Sequence, residues 1–426
     1  MSARGPLDGL KIVDLGNITA GGRTSQFLGD FGATVVKVEG PHRPDPFRHW
    51  SGVTGEAGAG DLASPPFRVV GRNKESVAID LKQPAGVELM RRLIEDADLV
   101  VENFRRGVLD KLGLGFDTLL SWNPRISLLS ISSQGEDGPE RDYVSFGGTL
   151  EAAGGMMAVT GYSSAEPTWT TSKVNHPDQA VALLAPGLAL WSVLVARARG
   201  RGVHVDLAQR ETVVALIGEL VTMASLTGVA PVATGNLTPR EVGLLLPVRG
   251  QDEWLAVSLT DQAQWLGLLD AAGRGDLATD ERFATDAARR VHSAELAAEF
   301  APWSREHDKS DLMRELQRRG VPAAAVLRAW ELEGEQDARG EALHVPVPTF
   351  AGEPEAQVSW PFTIDGSAQP AIHRRAPRVG EDTVEVLLRH GVARDRVDEL
   401  LEAGVIAVAD RESTGRTLSD QKRSTV

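Results

Sequence analysis

Cysteine is absent from this chain of 426 residues. Its absence excludes disulfides, thiolate nucleophiles and metal sites built on cysteine. The nine histidines show no paired spacing typical of a metal site. We therefore predict no metal centre, and any covalent chemistry has to be carried by another kind of side chain.

Long apolar runs are also missing. No segment approaches the roughly 18 consecutive apolar residues of a membrane span, and the N-terminus has no apolar stretch typical of a signal peptide. The net charge of −14 disfavours binding to a phosphate backbone. We therefore expect a cytoplasmic protein with neither a membrane nor a nucleic acid as partner.

Several common catalytic motifs do not occur. The sequence contains no Gly-x-Gly-x-x-Gly fingerprint and no phosphate-binding P-loop, so a nicotinamide or ATP site has no direct support. The Gly-x-Ser-x-Gly motif of serine hydrolases is missing as well.

Short apolar runs alternate with helical patterns in the first part of the chain. These runs cover residues 10–15, 34–39, 76–81, 99–102 and 126–131. A strand, helix and strand within about thirty residues form a βαβ unit, so the pattern predicts an α/β fold with a parallel sheet.

A change of pattern near residue 234 indicates a second, smaller domain. We expect a large domain over 1–210, a linker over 211–233, the small domain over 234–330, a return to the large domain over 331–409 and a disordered tail over 410–426. Residues 40–72 are rich in glycine and proline and are typical of a long surface loop.

One carboxylate lies at the start of an apolar segment. Asn175-His176-Pro177-Asp178 leads directly into residues 179–197. Asp178 has two compatible interpretations. It is typical of a helix N-cap, and it is also a candidate nucleophile, because a helix N-terminus stabilises the anion that has to attack an acyl carbon.

Cations cluster in the first domain, several of them just beyond predicted strand ends. They are Arg72, Lys74, Lys82, Arg105, Arg106 and Lys111. The cluster is either a solvated surface or a clamp for a ligand that carries phosphate.

Eight segments, in order along the chain, resemble the class III coenzyme A transferases. They are residues 6–14, 29–39, 72–82, 97–114, 135–139, 177–178, 197–209 and 376–383. The resemblance implies a large Rossmann-like domain made from both chain ends, a smaller α+β domain and an interlocked homodimer. It also implies that Asp178 is the nucleophile, forming aspartyl anhydride and aspartyl-CoA thioester intermediates. Acyl-CoA and a carboxylic acid would be the substrates, with no permanently bound cofactor.

The resemblance also carries over binding residues. Coenzyme A would contact Thr19, Ala20, Ile79, Asp80, Leu81, Lys82, Asn103, Phe104, Arg105 and Lys111. Backbone groups near Gln134, Gly135, Gly154 and Gly155 are candidate oxyanion donors. Trp169 either lines an acyl pocket or is a core aromatic residue.

The chain departs from the family pattern in ways that leave alternatives open. Gly147 stands where relatives carry an acidic residue, and no glycine-rich flap is evident between Gly235 and Trp254. An α-methylacyl-CoA racemase needs an acid and base pair, but residues 143–148 contain neither His nor Asp. A non-catalytic subunit of a hetero-oligomer is the other alternative, although Asp178 is present.

Overall fold

Strands and helices alternate through most of the chain in the computed structural model. The structure describes residues 5–50, 64–162, 166–170, 175–237, 240–334, 344–349, 353–364, 367–368 and 372–409. The strands are β1 (Lys11–Asp14), β2 (Thr34–Glu39), β3 (Glu75–Ile79), β4 (Leu99–Glu102), β5 (Ser127–Ser132), β6 (His204–Ala208), β7 (Val242–Pro247), β8 (Trp254–Leu259), β9 (Ala323–Ala325), β10 (His344–Val347), β11 (Glu355–Val358), β12 (Thr363–Ile364), β13 (Ser367–Ala368) and β14 (Ile406–Ala407).

Helices fill most of the intervals between the strands. They are α1 (Ala20–Asp30), α2 (Pro65–Val70), α3 (Pro84–Glu95), α4 (Val108–Lys111), α5 (Phe116–Trp122), α6 (Gly147–Ala153), α7 (Met156–Val159), α8 (His176–Arg199), α9 (Gln209–Leu216), α10 (Gly218–Thr227), α11 (Gln262–Ala272), α12 (Asp286–Val291), α13 (Ser293–Ser304), α14 (Lys309–Arg318), α15 (Thr383–Arg389) and α16 (Arg394–Glu402).

The main sheet has seven strands in the order β14-β3-β2-β1-β4-β5-β6. Strands β1 to β6 pair in parallel, and β14 adds to the edge antiparallel to β3. The order 3-2-1-4-5-6 is that of the doubly wound nucleotide-binding fold. The expected α/β class with a largely parallel sheet is therefore confirmed.

Both faces of this sheet are covered, which explains its nearly continuous apolar strands. In β4, Val100 faces a core that contains residues of α3, α15 and α16, while Leu99 and Val101 face a core that contains residues of α1 and α8. Successive side chains of a strand point to opposite faces, so the run Leu-Val-Val supplies both cores at once.

Helix α8 has an apolar stripe that buries it against the sheet. Val181, Ala185, Ala189 and Val193 recur every fourth residue and lie in the same core as α1. Against the expectation from sequence, α8 is the one helix of the described residues long and apolar enough to cross a membrane. Its buried stripe identifies it as a core helix of this fold.

The chain divides into two units. The first comprises residues 1–156, 169–222 and 337–426, and the second comprises residues 157–168 and 223–336. In the second unit, β7, β8 and β9 form an antiparallel sheet. Its core includes Trp265, Phe283 and Phe300.

Two segments named from the sequence contain helices or core residues. The predicted linker, residues 211–233, contains most of α9 and all of α10. The predicted surface loop, residues 40–72, contributes a small core, because Phe47 and Phe67 are buried together with Ala376. The expected tail, 410–426, lies outside the described residues.

Candidate active site

The carboxyl ends of β1 and β4 form the topological switch point of the sheet, where ligands of this fold class bind. The backbone N–H of Asn17 donates to Asn103 Oδ1 at 2.7 Å, and Asn103 Nδ2 donates to Asn17 O at 3.0 Å. These two bonds join the loop after β1 to the loop after β4. The structure thereby brings Thr19, Ala20 and Asn103, three of the predicted coenzyme A contacts, to one place.

A buried ion pair supports the loop after β1. Ile18 has a φ of +55°, an uncommon conformation for a β-branched residue. Its N–H donates to both carboxylate oxygens of Asp45 at 3.2 Å, and Asp45 in turn pairs with Lys37 at 3.0 Å. Lys37 Nζ also donates to Gly16 O at 2.6 Å. These contacts hold the loop in its conformation from within the chain.

Two members of the predicted cation cluster are not available to a ligand. Arg72 pairs with Asp30 at 2.7 Å and Lys74 with Asp14 at 2.8 Å, and all four side chains are almost completely buried. The clamp interpretation is wrong for these two cations, because their charges hold the fold together.

The other predicted coenzyme A contacts follow β3 and β4. Lys82, Arg105 and Lys111 are exposed. The side chains of Ala20 and Ile79 are buried, so a ligand can reach these residues only through their backbone. Asp80, Leu81 and Phe104 are half-buried.

Asp178 lies in the first turn of α8, on the crossover between β5 and β6. In this crossover α8 starts at the carboxyl ends of the parallel strands, on the same side of the sheet as the switch point. The helix is capped by Asn175, whose Oδ1 accepts from the Asp178 N–H at 3.5 Å. The N-cap interpretation of Asp178 is therefore wrong, and its own carboxylate is left for another role.

Two amides hold the Asp178 carboxylate. Asn175 Nδ2 donates to Oδ2 at 2.7 Å, and Gln209 Nε2 donates to Oδ1. Burial raises the pKa of Asp178 from 3.8 to about 6, and the hydrogen bond from Gln209 opposes this rise. The carboxylate is therefore mostly ionised at neutral pH, without a cation to neutralise it among the described residues.

The predicted oxyanion donors are already bonded within the chain. The N–H of Gly135 donates to Ser132 Oγ, that of Gly154 to Leu150 O and that of Gly155 to Ala152 O. The side chain of Gln134 bonds Ser145 and Arg210. These contacts leave the expected role of the three glycines without support.

Trp169 is not a core residue, because 56% of it is exposed. Its ring covers Gly148, where an added Cβ would lie only 2.8 Å from the ring. Next to it Thr170 donates from its N–H and its hydroxyl to Glu151 at 3.0 and 2.6 Å. Glu151 is a buried carboxylate that sequence reasoning missed.

Sequence reasoning also missed the roles of Asn175 and Gln209. The signal for Asn175 is its residue type, because asparagine is a preferred N-cap residue and lies three positions before Asp178. Gln209 begins α9 directly after β6, and the end of a parallel strand is the signal that indicates a site residue.

The fold and site define a doubly wound α/β protein with a half-buried, amide-held carboxylate at its ligand-binding edge. A sequence model of CoA-transferase family III matches residues 7–383. The chain therefore belongs to the class III CoA-transferase family, and it is an acyl-CoA:carboxylate CoA-transferase. Neither alternative from sequence, racemase or non-catalytic subunit, is favoured.

Individual proteins agree with this assignment. Succinyl-CoA–D-citramalate CoA-transferase from Chloroflexus aurantiacus is 35% identical over 77% of this chain and 80% of its own length. Succinate–glutarate CoA-transferase from Agrobacterium fabrum is 29% identical over 90% of this chain and 95% of its own length. The crystal structure of a CAIB/BAIF family protein from Brucella suis superposes with a TM-score of 0.80 at 30% identity, covering 91% of this chain and 99% of that chain.

Proposed function

We propose that this enzyme transfers coenzyme A through covalent intermediates on Asp178. The observation that carries the proposal is the position of this carboxylate, which is held by two amides at the edge of the sheet where the switch point lies. Coenzyme A would lie against the loop after β1 and the exposed cations Lys82, Arg105 and Lys111.

The reaction begins with attack of one Asp178 oxygen on the thioester carbonyl of the donor. The C–S bond breaks, coenzyme A leaves as the thiolate, and an acyl-aspartyl anhydride forms. The thiolate then attacks Cγ of Asp178 and expels the donor acid as a carboxylate, which leaves an aspartyl-CoA thioester. An acceptor carboxylate repeats the two exchanges in reverse order.

The substrates we propose are succinyl-CoA as donor and a short dicarboxylic acid as acceptor. The proposal rests on the names of two relatives, one a succinyl-CoA–D-citramalate and the other a succinate–glutarate CoA-transferase. Both names combine a succinyl group with another dicarboxylic acid.

A homodimer is the assembly we propose. The outward face of α8 carries Leu183, Leu184, Trp191 and Leu194, each between 46% and 65% exposed in the single chain. Several exposed apolar side chains on one helix face are typical of a protein–protein interface. The interlocked arrangement implied by the family resemblance would cover it with a second copy.

An isotope experiment tests the covalent path. The enzyme turns over succinyl-CoA with glutarate labelled with ¹⁸O in its carboxylates, and the peptide containing Asp178 is then weighed by mass spectrometry. Each turnover on the proposed path leaves one acceptor oxygen on Asp178, because the bridging oxygen of the second anhydride stays there.

The variant Asp178→Asn is expected to lose at least about a thousandfold in transfer rate. The matched control Asp137→Asn, in an exposed bend, is expected to behave like the parent. Glutaryl-CoA formation without label at Asp178, or undiminished transfer by Asp178→Asn, would overturn the proposal.

A further inference from the structure

The two amides on Asp178 differ in their surroundings. Gln209 is 8% exposed, whereas Asn175 is half-buried. Gln209, which donates to Oδ1, is therefore the inner amide of the two, and Asn175, which donates to Oδ2, is the outer amide. An ionised carboxylate has about four acceptor positions, so one amide on each oxygen leaves both able to react.

Gly147 makes room for the outer amide. A Cβ at this position would lie 2.2 Å from Asn175 Oδ1 and 2.3 Å from Nδ2, far inside any van der Waals contact. Any larger residue at 147 therefore requires the Asn175 side chain to shift from the position in which it bonds Asp178. The position that departs from the family resemblance is thus the one that admits the Asn175 amide.

We propose that Gln209 is a catalytic residue, whose Nε2–H stabilises the oxyanion that forms on Asp178 Oδ1, while Gly147 and Asn175 position Oδ2 for attack. The inference rests on the proposed function, since it concerns steps at Asp178 itself. Hydrogen bonds to a developing oxyanion strengthen as its charge grows, which is the condition for accelerating a step.

The oxyanion forms at Cγ twice in each turnover. First the thiolate of coenzyme A adds to Cγ of the anhydride, and the electron pair of the Cγ–Oδ1 double bond moves onto Oδ1. The double bond reforms when the donor carboxylate leaves with the former Oδ2. Later the acceptor carboxylate adds to Cγ of the thioester, and the thiolate leaves. In both steps Oδ1 bears the charge.

The initial attack on acyl-CoA is different. There the charge develops on the carbonyl oxygen of the acyl group, not on Asp178, so Gln209 is not expected to accelerate it. The two kinds of step are separable, because a thiol reagent captures coenzyme A as soon as the first anhydride forms.

The test uses the full-length variant Gln209→Met, which keeps an unbranched side chain of similar length but has no N–H donor. With succinyl-CoA and glutarate, transfer is expected to fall by about 10²–10³-fold. Release of thiol from succinyl-CoA, in the presence of the thiol reagent, is expected to stay within threefold of the parent. The KM for succinyl-CoA is expected to change little.

Other outcomes separate the possible failures. Equal losses in transfer and thiol release would mean that Gln209 only positions Asp178, and unchanged transfer would mean that it does nothing to the reaction. Either result overturns the inference while the proposed function stands. If Asp178→Asn transfers as well as the parent, the proposed function fails instead. If Gln209→Met does not fold, Gln209→Asn, whose amide ends one methylene short, gives the same two readouts.

A matched pair of glycine variants tests the outer amide. Gly147→Ala is expected to lower both transfer and thiol release at least tenfold, because the new methyl group displaces Asn175. The control is Gly275→Ala, which, like Gly147, is the first residue of a helical segment (Gly275–Thr279), and where nothing lies within 4 Å of an added Cβ. It is expected to leave both rates unchanged, and equal rates for the two variants would contradict the positioning role.

Discussion

The charge on Asp178 is expected to destabilise the folded chain. Burial raises its pKa from 3.8 to about 6, so the folded state holds this proton more tightly than the unfolded state does. Two units of pKa correspond to about 3 kcal/mol, by which the ionised carboxylate lowers the free energy of unfolding at neutral pH. The penalty is absent below pH 4, where the carboxyl group is protonated in both states. Stability is lost as the pH rises through 6, where the folded state gives up this proton.

Asp178→Asn removes this charge in a side chain of the same shape. One of the two amide donors, from Asn175 or Gln209, then faces an NH₂ group instead of an oxygen, which costs about 1–2 kcal/mol. We therefore expect the free energy of unfolding of the variant to exceed that of the parent by about 1–2 kcal/mol near pH 8. Near pH 4 the variant is expected to be less stable than the parent. The charge penalty is largely gone there, and the lost hydrogen bond is the main remaining difference.

Urea unfolding at fixed protein concentration, followed by tryptophan fluorescence, measures this difference. Between pH 5 and pH 7.5 the free energy of unfolding of Asp178→Asn, relative to the parent, is expected to rise by about 1 kcal/mol or more. A difference for Asp178→Asn that is independent of pH, or that grows toward acid pH, would refute the reasoning.

Two further variants test other parts of the structure. Lys74→Met leaves the buried carboxylate of Asp14 unpaired and is expected to cost about 3–5 kcal/mol in thermal unfolding, whereas Arg91→Met, on an exposed helix surface, costs less than about 1 kcal/mol. Equal losses of stability in the two variants would mean that the buried pair of Lys74 and Asp14 does not stabilise the fold more than an exposed pair does. Trp191→Glu places a charge on the outward face of α8 and is expected to dissociate the proposed homodimer in sedimentation velocity, and an unchanged sedimentation coefficient would argue against that interface.

The parallel sheet was predictable because its signal is local. Each strand of the β1 to β5 series is a short apolar run followed by a helical pattern, and buried parallel strands require that composition on both faces. The antiparallel strand β14 was not predictable in this way. It is only two residues long, and its partner β3 lies more than 300 residues away in the chain.

The error about the cation cluster has the same physical origin. Arg72 and Lys74 are neutralised by Asp30 and Asp14, which precede them by 42 and 60 residues. The sequence shows where the cations lie along the chain, but only the folded structure shows which carboxylates pair with them. A cation beside a strand end is therefore weak evidence for a ligand site until its partners are known.

Asp178 was predictable as a candidate nucleophile, and the residues that hold it were not. The sequence places an acid at the start of an apolar helix, and this pattern predicts a cap. The structure assigns the cap to Asn175, which precedes Asp178 by three residues. Gln209 follows it by 31 residues and reaches it only because the crossover from β5 through α8 to β6 returns the chain to the same sheet edge.

Neutral amides suit a carboxylate that has to act as a nucleophile. A lysine or arginine in their place would stabilise the anion, lower its pKa and make it a weaker nucleophile. Asn175 and Gln209 fix both oxygens without neutralising them, and burial keeps the pKa of Asp178 near 6. In the proposed reaction the half-buried anion becomes a neutral anhydride and then a neutral thioester. The desolvation that destabilises the resting fold therefore favours formation of each covalent intermediate.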